Sequence, residues 1–270
     1  MSALKRKRTN GIERAFQILD CLVELGEPAT AYTIAKTKKA PLSTVYNLIE
    51  SLERLDVLRR HNDEGEYFLG SKLFSLGLAY ANSTHEDEVL RRYSRELAQT
   101  TGYDAILCIR DGEQLLVSFK ADGAERLRVS TKVGARLPLT WTASGLLLLG
   151  HLSPEERNEF WLAAPPSPGG QAATDPATLE EKCRAFWDAG YGIQAAESEF
   201  DVAYVAAPVI SPPGECRVTM CLVVPGKLAA EKGEELAATV KAAARAVESE
   251  MGWTRSGGVP LRPFPATARK

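Results

Sequence analysis

The sequence has few of the residues that build disulfide frameworks and metal centres. Its 270 residues include five cysteines, with no C-x-x-C pair, and three histidines, which argues against a disulfide scaffold, a zinc ribbon or a histidine-rich metal site. A run of about 18 apolar residues, long enough to span a membrane, is also missing. No apolar segment follows the basic cluster near Met1, so we expect no secretory signal. These absences predict a cytoplasmic protein without membrane contact, bound metal or cofactor.

The composition indicates a globular chain with an uneven charge distribution. Hydrophobic residues make up 44% and charged residues 25% of the sequence, which is enough apolar material for a core in one large domain or in a small domain joined to a larger one. Residues 1–80 carry 12 Lys and Arg against 10 Asp and Glu, whereas residues 81–270 carry 21 against 25. The slightly basic N-terminal part is a weak sign of a DNA-contacting module.

Helical and strand patterns follow one another in the first seventy residues. The first helix has apolar residues at helical spacing: Ile12, Ala15, Phe16, Leu19, Leu22 and Val23. In order, the elements are a helix over 11–26, a short helix over 31–37, a turn at 38–40, a helix opening at Pro41, and a hairpin of 57–60 with 67–69. This order predicts a winged helix-turn-helix domain over 11–70, preceded by a basic tail at 1–10.

The third helix has one apolar and one polar face. We expect its core side to carry Val45, Leu48, Ile49, Leu52 and Leu55. Short polar side chains on the other side can reach base edges in the major groove, and the predicted base-contacting residues are Ser43, Thr44, Tyr46 and Asn47. Lys39 in the turn and Arg59 and Arg60 in the wing are predicted to contact the DNA backbone or minor groove. The alternative is a helical subdomain with no role on DNA, because exposed Ser, Thr and Asn are common.

Three ordered motifs resemble the IclR family of bacterial transcriptional regulators. They are Ile12–Leu19 in the opening helix, Leu42–Ile49 in the third helix and Tyr67–Leu73 at the exit of the wing. The match continues to about residue 253. In the turn, the family usually has a glycine where this chain has Lys39. The resemblance implies an α+β fold with an N-terminal winged helix-turn-helix and a C-terminal GAF-like effector-binding domain.

The rest of the chain mixes helices and strands without strict alternation. A linker helix is predicted within 71–84, where Leu73, Leu76, Leu78 and Tyr80 need a neighbour to pack against. For the second domain, 85–253, we predict helices over 85–101, 142–149, 176–189 and 231–251, a capping box at 153–156, and strands over 105–109, 114–119, 127–131, 202–209 and 217–224. This pattern favours an antiparallel sheet. Residues 254–270 are predicted to be a tail.

The segment 134–145 resembles the family motif G-x-x-x-P-L-H-x-T-A-x-G-K, and the resemblance implies that its loop binds the effector. The amides of Ala143 and Ser144 are predicted to hold a carboxylate at a helix N-terminus. Thr140 replaces the family's histidine and Leu146 its lysine. Trp141 either stacks on an aromatic ring or belongs to the core. Alternatively, the segment is a plain helix cap made by Thr142.

Two later segments, 189–197 and 201–209, resemble the other half of the family's effector pocket. Gln194 occupies the position of an acidic pocket residue in the family, Tyr204 that of a cysteine and Asp201 that of a glycine. Cys221 and Val223 occupy positions where the family usually has small hydroxyl residues. These changes make the expected pocket more apolar. An aromatic or medium-sized carboxylate therefore fits it better than a small hydrophilic keto-acid.

The predicted function is a ligand-responsive transcriptional regulator that binds a palindromic double-stranded DNA operator as a dimer or tetramer, with a small carboxylate effector. One alternative is a small-molecule-binding or scaffold module whose helix-turn-helix mediates protein contacts. The other alternative, an enzyme with a helical accessory domain, lacks support. Ala143-Ser144-Gly145 is missing the first glycine of a nucleophile elbow, and His151 is too near in sequence to complete a triad. We therefore assign no catalytic residue.

Overall fold

The computed structural model describes residues 10–62, 65–81, 85–125, 132–166, 173–195 and 202–253. The chain divides into two compact units, 1–84 and 85–270. Within the described ranges, no helix combines the length and the apolar character needed to cross a bilayer.

The first unit is a winged helix-turn-helix. Its elements are α1 (Gly11–Leu25), β1 (Ala29–Thr30), α2 (Ala31–Thr37), α3 (Leu42–Arg54), β2 (Leu58–Arg60), β3 (Glu66–Leu69) and α4 (Ser71–Ala81). The three strands form an antiparallel sheet in the order β1–β3–β2, in which β2 and β3 are the wing. The predicted linker helix corresponds to α4, and the end of its expected range, 82–84, lies outside the described residues.

Local capping sets the helix ends in this unit. The Asn10 side chain accepts a hydrogen bond from the Glu13 amide (2.8 Å), and the Glu13 carboxylate accepts one from the Asn10 amide (3.1 Å), which makes a capping box for α1. Gly26 ends α1 in the left-handed region, at φ +70°. The prediction that Pro41 opens α3 was wrong by one residue. Pro41 has an extended backbone (ψ 129°) and stands at the N-cap, so the helix begins at Leu42.

The buried stripe of α1 differs from the predicted one. The core of the unit takes Ile18, Leu19, Cys21 and Leu22. Of the residues predicted to face inward, Ile12, Phe16 and Val23 are exposed by 72%, 61% and 64%. Leu55, expected in the core, is also exposed because α3 ends at Arg54. Helix α1 therefore presents a second apolar stripe that its own unit leaves uncovered.

The second unit is built on a six-stranded antiparallel sheet with strand order β6–β5–β4–β9–β8–β7. Its strands are β4 (Asp104–Asp111), β5 (Gln114–Ala121), β6 (Arg136–Pro138), β7 (Gly192–Ala195), β8 (Val202–Ser211) and β9 (Glu215–Pro225). Its helices are α5 (His85–Thr101), a 3-10 helix (Leu139–Trp141), α6 (Ala143–Leu149), α7 (Pro154–Leu162), α8 (Pro176–Ala189) and α9 (Gly226–Glu250). The α+β class with an antiparallel sheet is confirmed.

Helices cover both faces of this sheet. Helices α5 and α9 pack on one face, where Val205 and Leu222 belong to the core. Helices α6, α7 and α8 lie on the opposite side, where Ala206, Cys221 and Val223 contribute. Successive strand residues thus supply two separate cores, as a pleated strand between two helical layers requires.

Some predicted boundaries in this unit were right and others were not. The capping box at 153–156 is confirmed. The Ser153 hydroxyl accepts a hydrogen bond from the Glu156 amide (3.2 Å), and the Glu156 carboxylate accepts one from the Ser153 amide (2.9 Å). Helix α9 begins at Gly226 rather than at 231, with a kink at Lys232 (φ −130°). The short strands β6 and β7 were not predicted. The strand predicted over 127–131 lies outside the described residues.

Candidate DNA-binding and effector-binding sites

Helix α3 presents a polar face to solvent because its apolar residues are anchored in the core. Val45, Ile49 and Leu52 are buried. On the opposite side, Tyr46 is 51% exposed, and Ser43 and Asn47 are exposed as well. Thr44 is half-buried. The predicted base-contacting residues therefore lie on an accessible helix face, and their role on DNA stays a prediction.

The turn before α3 holds two lysines in different environments. The Lys38 ammonium pairs with Glu24 at 2.6 Å. Lys39 is exposed and has φ +50°, in the left-handed region, where a side chain is strained. Lys39 forms no ion pair with a residue that the structure describes. Its charge is thus open to an external anion such as a DNA phosphate.

The wing holds its two arginines differently. Arg59 and Arg60 pair with Phe68 and Tyr67 across the β2–β3 ladder. The Arg60 guanidinium donates to the Tyr67 hydroxyl (3.2 Å) and lies 5.6 Å from the centre of the Tyr67 ring. Arg59 is exposed. The wing therefore presents Arg59 to solvent, while Tyr67 orients Arg60.

Thr142 caps helix α6, as the alternative interpretation of this segment expects. Its hydroxyl accepts a hydrogen bond from the Gly145 amide at 2.9 Å. Ala143 and Ser144, predicted to hold a carboxylate through their amides, are buried at the first turn. The cap explains why a threonine stands at position 142. The binding of an effector by the amides of Ala143 and Ser144 stays a prediction.

The sheet brings four of the predicted effector residues together. Gln194 lies opposite Tyr204, and Tyr204 lies opposite Val223, so these residues form a row across three strands. Cys221 lies two positions before Val223 on the same face. We call these four residues the sheet patch. Cys221 and Val223 are almost fully buried, and Tyr204 packs against the same core cluster. Asp201, also predicted for this site, lies outside the described residues.

Trp141 connects the α6 loop to the sheet patch. Its carbonyl oxygen accepts a hydrogen bond from the Gln194 side-chain amide at 2.5 Å. Its indole N–H donates to the carbonyl oxygen of Pro165 at 2.7 Å. Trp141 is half-buried and is not a member of the core clusters formed by the described residues. This placement disfavours the interpretation of Trp141 as a core residue.

Thr140, which the family motif assigns to the effector site, lies beside a cavity of the second unit. Thr140 is buried and lines a cavity that Arg110, on β4, also lines. Arg110 carried no motif signal, since a single arginine at the end of a strand is a common surface residue. Arg110 is an exposed residue of this lining, whereas the Thr140 hydroxyl oxygen is buried.

Buried thiols lie beneath the first turn of α6. Burial raises the pKa of the Cys108 thiol to about 12, and the Ser144 hydroxyl offsets part of this effect. Burial also raises the pKa of Cys221. Both thiols are therefore protonated at neutral pH and pack as small apolar groups. Among the described residues, His, Cys, Asp and Glu side chains form no cluster suited to a metal ion.

Comparison with known proteins identifies the family. The model of the IclR helix-turn-helix domain matches residues 11–62. The model of the bacterial transcriptional regulator IclR C-terminal domain matches residues 78–249. The chain belongs to the IclR family. It is therefore a transcriptional regulator with a helix-turn-helix domain and an effector-binding domain, as the resemblance of its motifs implied.

Individual IclR-family proteins agree with this assignment. The chain is 30% identical over 206 residues to the HTH-type transcriptional regulator XynR of Escherichia coli (strain K12), covering 73% of this chain and 79% of that protein. An IclR regulator from Alicyclobacillus acidocaldarius shares the fold, with a TM-score of 0.79 at 19% identity over 88% of this chain and 97% of that one.

A third relative was solved with a ligand. It is an IclR homologue from Microbacterium hydrocarbonoxydans complexed with 4-hydroxybenzoate. Its TM-score is 0.78 at 23% identity, over 91% of this chain and 100% of that one. The named relatives are regulators rather than enzymes, in agreement with the prediction that this chain is not an enzyme.

Proposed function

We propose that this IclR-family regulator binds a palindromic double-stranded DNA operator in the cytoplasm through α3, Lys39 and the wing. The observation that carries the proposal is the exposed polar face of α3, where Ser43, Tyr46 and Asn47 are accessible while the opposite face is anchored in the core. Side chains of this kind near the start of a recognition helix can reach base edges in the major groove. Thr44, Arg59 and Arg60 complete the proposed DNA surface.

The proposed assembly is a dimer or tetramer. Operator half-sites lie about 34 Å apart, so one copy of a winged head reads half of a palindrome. Support comes from the uncovered apolar stripe on α1, formed by Ile12, Phe16 and Val23, and from Phe74 and Leu76, which are exposed on α4. Exposed apolar stripes of this kind are expected to pack against a second copy.

The proposed effector is a small carboxylate, and an aromatic one is favoured. The sheet patch combines the apolar, almost fully buried side chains of Cys221 and Val223 with the Tyr204 phenol and the Gln194 amide. An apolar pocket suits an aromatic ring better than a small keto-acid. The relative with bound 4-hydroxybenzoate provides an example of an aromatic acid within the same fold. The amides of Ala143 and Ser144 are proposed to receive the carboxylate.

The DNA proposal is tested by fluorescence anisotropy with the DNA upstream of the chain's own gene, over a range of salt concentrations. Ser43→Ala and Asn47→Ala should each weaken specific binding by about 1–3 kcal/mol, because each removes a side chain that hydrogen-bonds to a base edge. Ser51→Ala is a matched control, because Ser51 lies on the same helix and its hydroxyl donates to the Asn47 carbonyl. It should leave affinity unchanged. Arg59→Ala should weaken binding to all sequences and reduce the salt dependence.

Two outcomes would contradict this assignment. If Ser43→Ala and Asn47→Ala bind the operator as tightly as the wild type, the base-contacting face is elsewhere. If no DNA fragment binds even at low salt, the helix-turn-helix mediates protein contacts instead.

The effector proposal is tested by thermal shift. We expect 4-hydroxybenzoate to raise the melting temperature more than pyruvate does, because the ring buries apolar surface against the sheet patch. Val223→Ser, which restores the small hydroxyl residue typical of the family, should reduce that difference. Equal shifts for the two acids would argue against an aromatic effector.

A further inference from the structure

The polar face of α3 carries a carboxylate next to the residues proposed to contact bases. Glu50 is exposed, and together with Ser43, Tyr46 and Asn47 it completes the spacing i, i+3, i+4, i+7. Residues at this spacing share one face of a helix. The base-reading residues of the homeodomain, another helix-turn-helix domain, have the same spacing on their recognition helix. Glu50 therefore belongs to the surface that the proposed function places against DNA.

The Glu50 carboxylate is not neutralised by any residue that the structure describes. Arg54 lies one turn further along α3, at the i+4 position where a Glu–Arg ion pair is favourable. Its guanidinium instead donates to the Ser51 hydroxyl at 3.3 Å. The Ser51 hydroxyl in turn donates to the Asn47 carbonyl at 3.0 Å. The exposed face of α3 thus presents a carboxylate that is available to an external hydrogen-bond donor.

A carboxylate on this face opposes binding to DNA in general. Phosphates repel it, and a base edge without a donor leaves it unpartnered once water is removed. In the major groove, guanine and thymine present no donor, and adenine presents an acceptor beside its amino group. Cytosine presents its N4 amino group, a donor that pairs with a carboxylate. The side chain of Glu50 is therefore accommodated at a cytosine and penalised at the other bases.

The dimensions of the helix allow such a contact. With a rise of about 1.5 Å per residue, Ser43 and Glu50 lie about 10 Å apart along the helix axis. Base pairs are stacked about 3.4 Å apart, so a helix aligned with the groove brings the two residues to positions about three base pairs apart. On the basis of the proposed operator binding, we infer that Glu50 is a specificity-determining residue. It accepts a hydrogen bond from the N4 amino group of a cytosine in each operator half-site and disfavours other sequences.

The test is the selection of binding sites by the full chain from a pool of duplexes with randomised sequence, followed by sequencing of the bound DNA. The wild type should enrich half-sites with a fixed C·G pair. Glu50→Ala should lower the preference for that pair about fivefold or more and keep the other enriched positions. Glu50→Gln should shift the preference at the same position toward A·T, because a glutamine side chain pairs with N6 and N7 of adenine.

Affinity for DNA without the site should change in the opposite direction. Fluorescence anisotropy with a scrambled duplex should show that Glu50→Ala and Glu50→Gln bind it more tightly than the wild type, by about twofold or more, because a negative charge is removed from the DNA-facing surface. Glu53→Gln is the matched control, since it makes the same change of charge on the same helix at a half-buried residue outside this spacing. It should keep the wild-type preference at every enriched position.

The role of Glu50 is refuted if both of its variants enrich the same bases as the wild type, or if Glu53→Gln changes the preference in the same way. If the wild type enriches no sequence, the proposed operator binding fails and the role of Glu50 fails with it. The behaviour of the wild type thus distinguishes the two failures. Because Glu50 is exposed on α3, its variants should fold, and their melting temperatures check this.

Discussion

Lys39 is a residue at which stability and DNA binding should respond in opposite directions. Its backbone lies in the left-handed region, at φ +50°, where a residue with a Cβ is less stable than glycine by about 1 kcal/mol. Lys39→Gly should therefore raise the free energy of unfolding of the first unit by about 1 kcal/mol, or its melting temperature by about 4–8 °C for a unit of this size. The same change removes a cation that has no ion-pair partner among the described residues, so operator affinity should fall.

The matched variant Lys39→Ala separates the two effects. Alanine removes the charge but keeps the Cβ, so Lys39→Ala and Lys39→Gly should lower DNA affinity equally and differ in stability. Differential scanning calorimetry measures the stability. Anisotropy at several salt concentrations measures binding. If Lys39 neutralises one phosphate, the negative slope of log affinity against log salt should become less steep by about one in either variant. If the glycine variant is no more stable than the alanine variant, the strain argument is refuted. If both keep the wild-type salt slope, Lys39 does not contact a phosphate.

Three further substitutions test the second unit. In Gly145→Ala the new Cβ would clash with the Leu139 carbonyl oxygen, so urea unfolding should show a free energy of unfolding lower by about 1–3 kcal/mol. Glu180→Leu removes the partner of the buried Arg157 guanidinium, and unfolding should show a loss of about 2–4 kcal/mol because the Glu180 side chain is only 27% exposed. Burial lowers the pKa of His151 in the folded protein. On acidification the unfolded chain therefore takes up a proton at His151 at a higher pH than the folded chain does, and the free energy of unfolding should fall as the pH drops through about 6.5. Melting curves of His151→Gln over the same pH range should lack this decrease.

The elements that could be predicted from the sequence are those set by local chemistry. The capping box at 153–156 and the helix ends at Gly26 and Gly190 depend on residues within one turn, and the structure has all three. The order of helices and hairpin in the first unit likewise follows from patterns within short segments of the sequence. Such features need no knowledge of what packs against them.

The features that could not be predicted depend on residues distant in sequence. Helix α1 has two overlapping apolar stripes, and its periodicity cannot show that the core takes Ile18 and Leu22 rather than Phe16 and Val23. Strand β7 has four residues, and its pairing with β8 defines it. Short edge strands of this kind carry little pattern of their own.

The same distinction applies to the residues predicted for the effector site. The sheet patch could be expected because the resemblance to the family aligns Gln194, Tyr204 and Val223 with pocket positions, and the strand register then places them in one row. Thr140 was assigned to that pocket for the same reason. It also belongs to the lining of a cavity that Arg110 borders, a residue thirty positions earlier that no motif marks. A family motif can thus assign a residue to a site, but only the tertiary structure shows which distant residues lie near it.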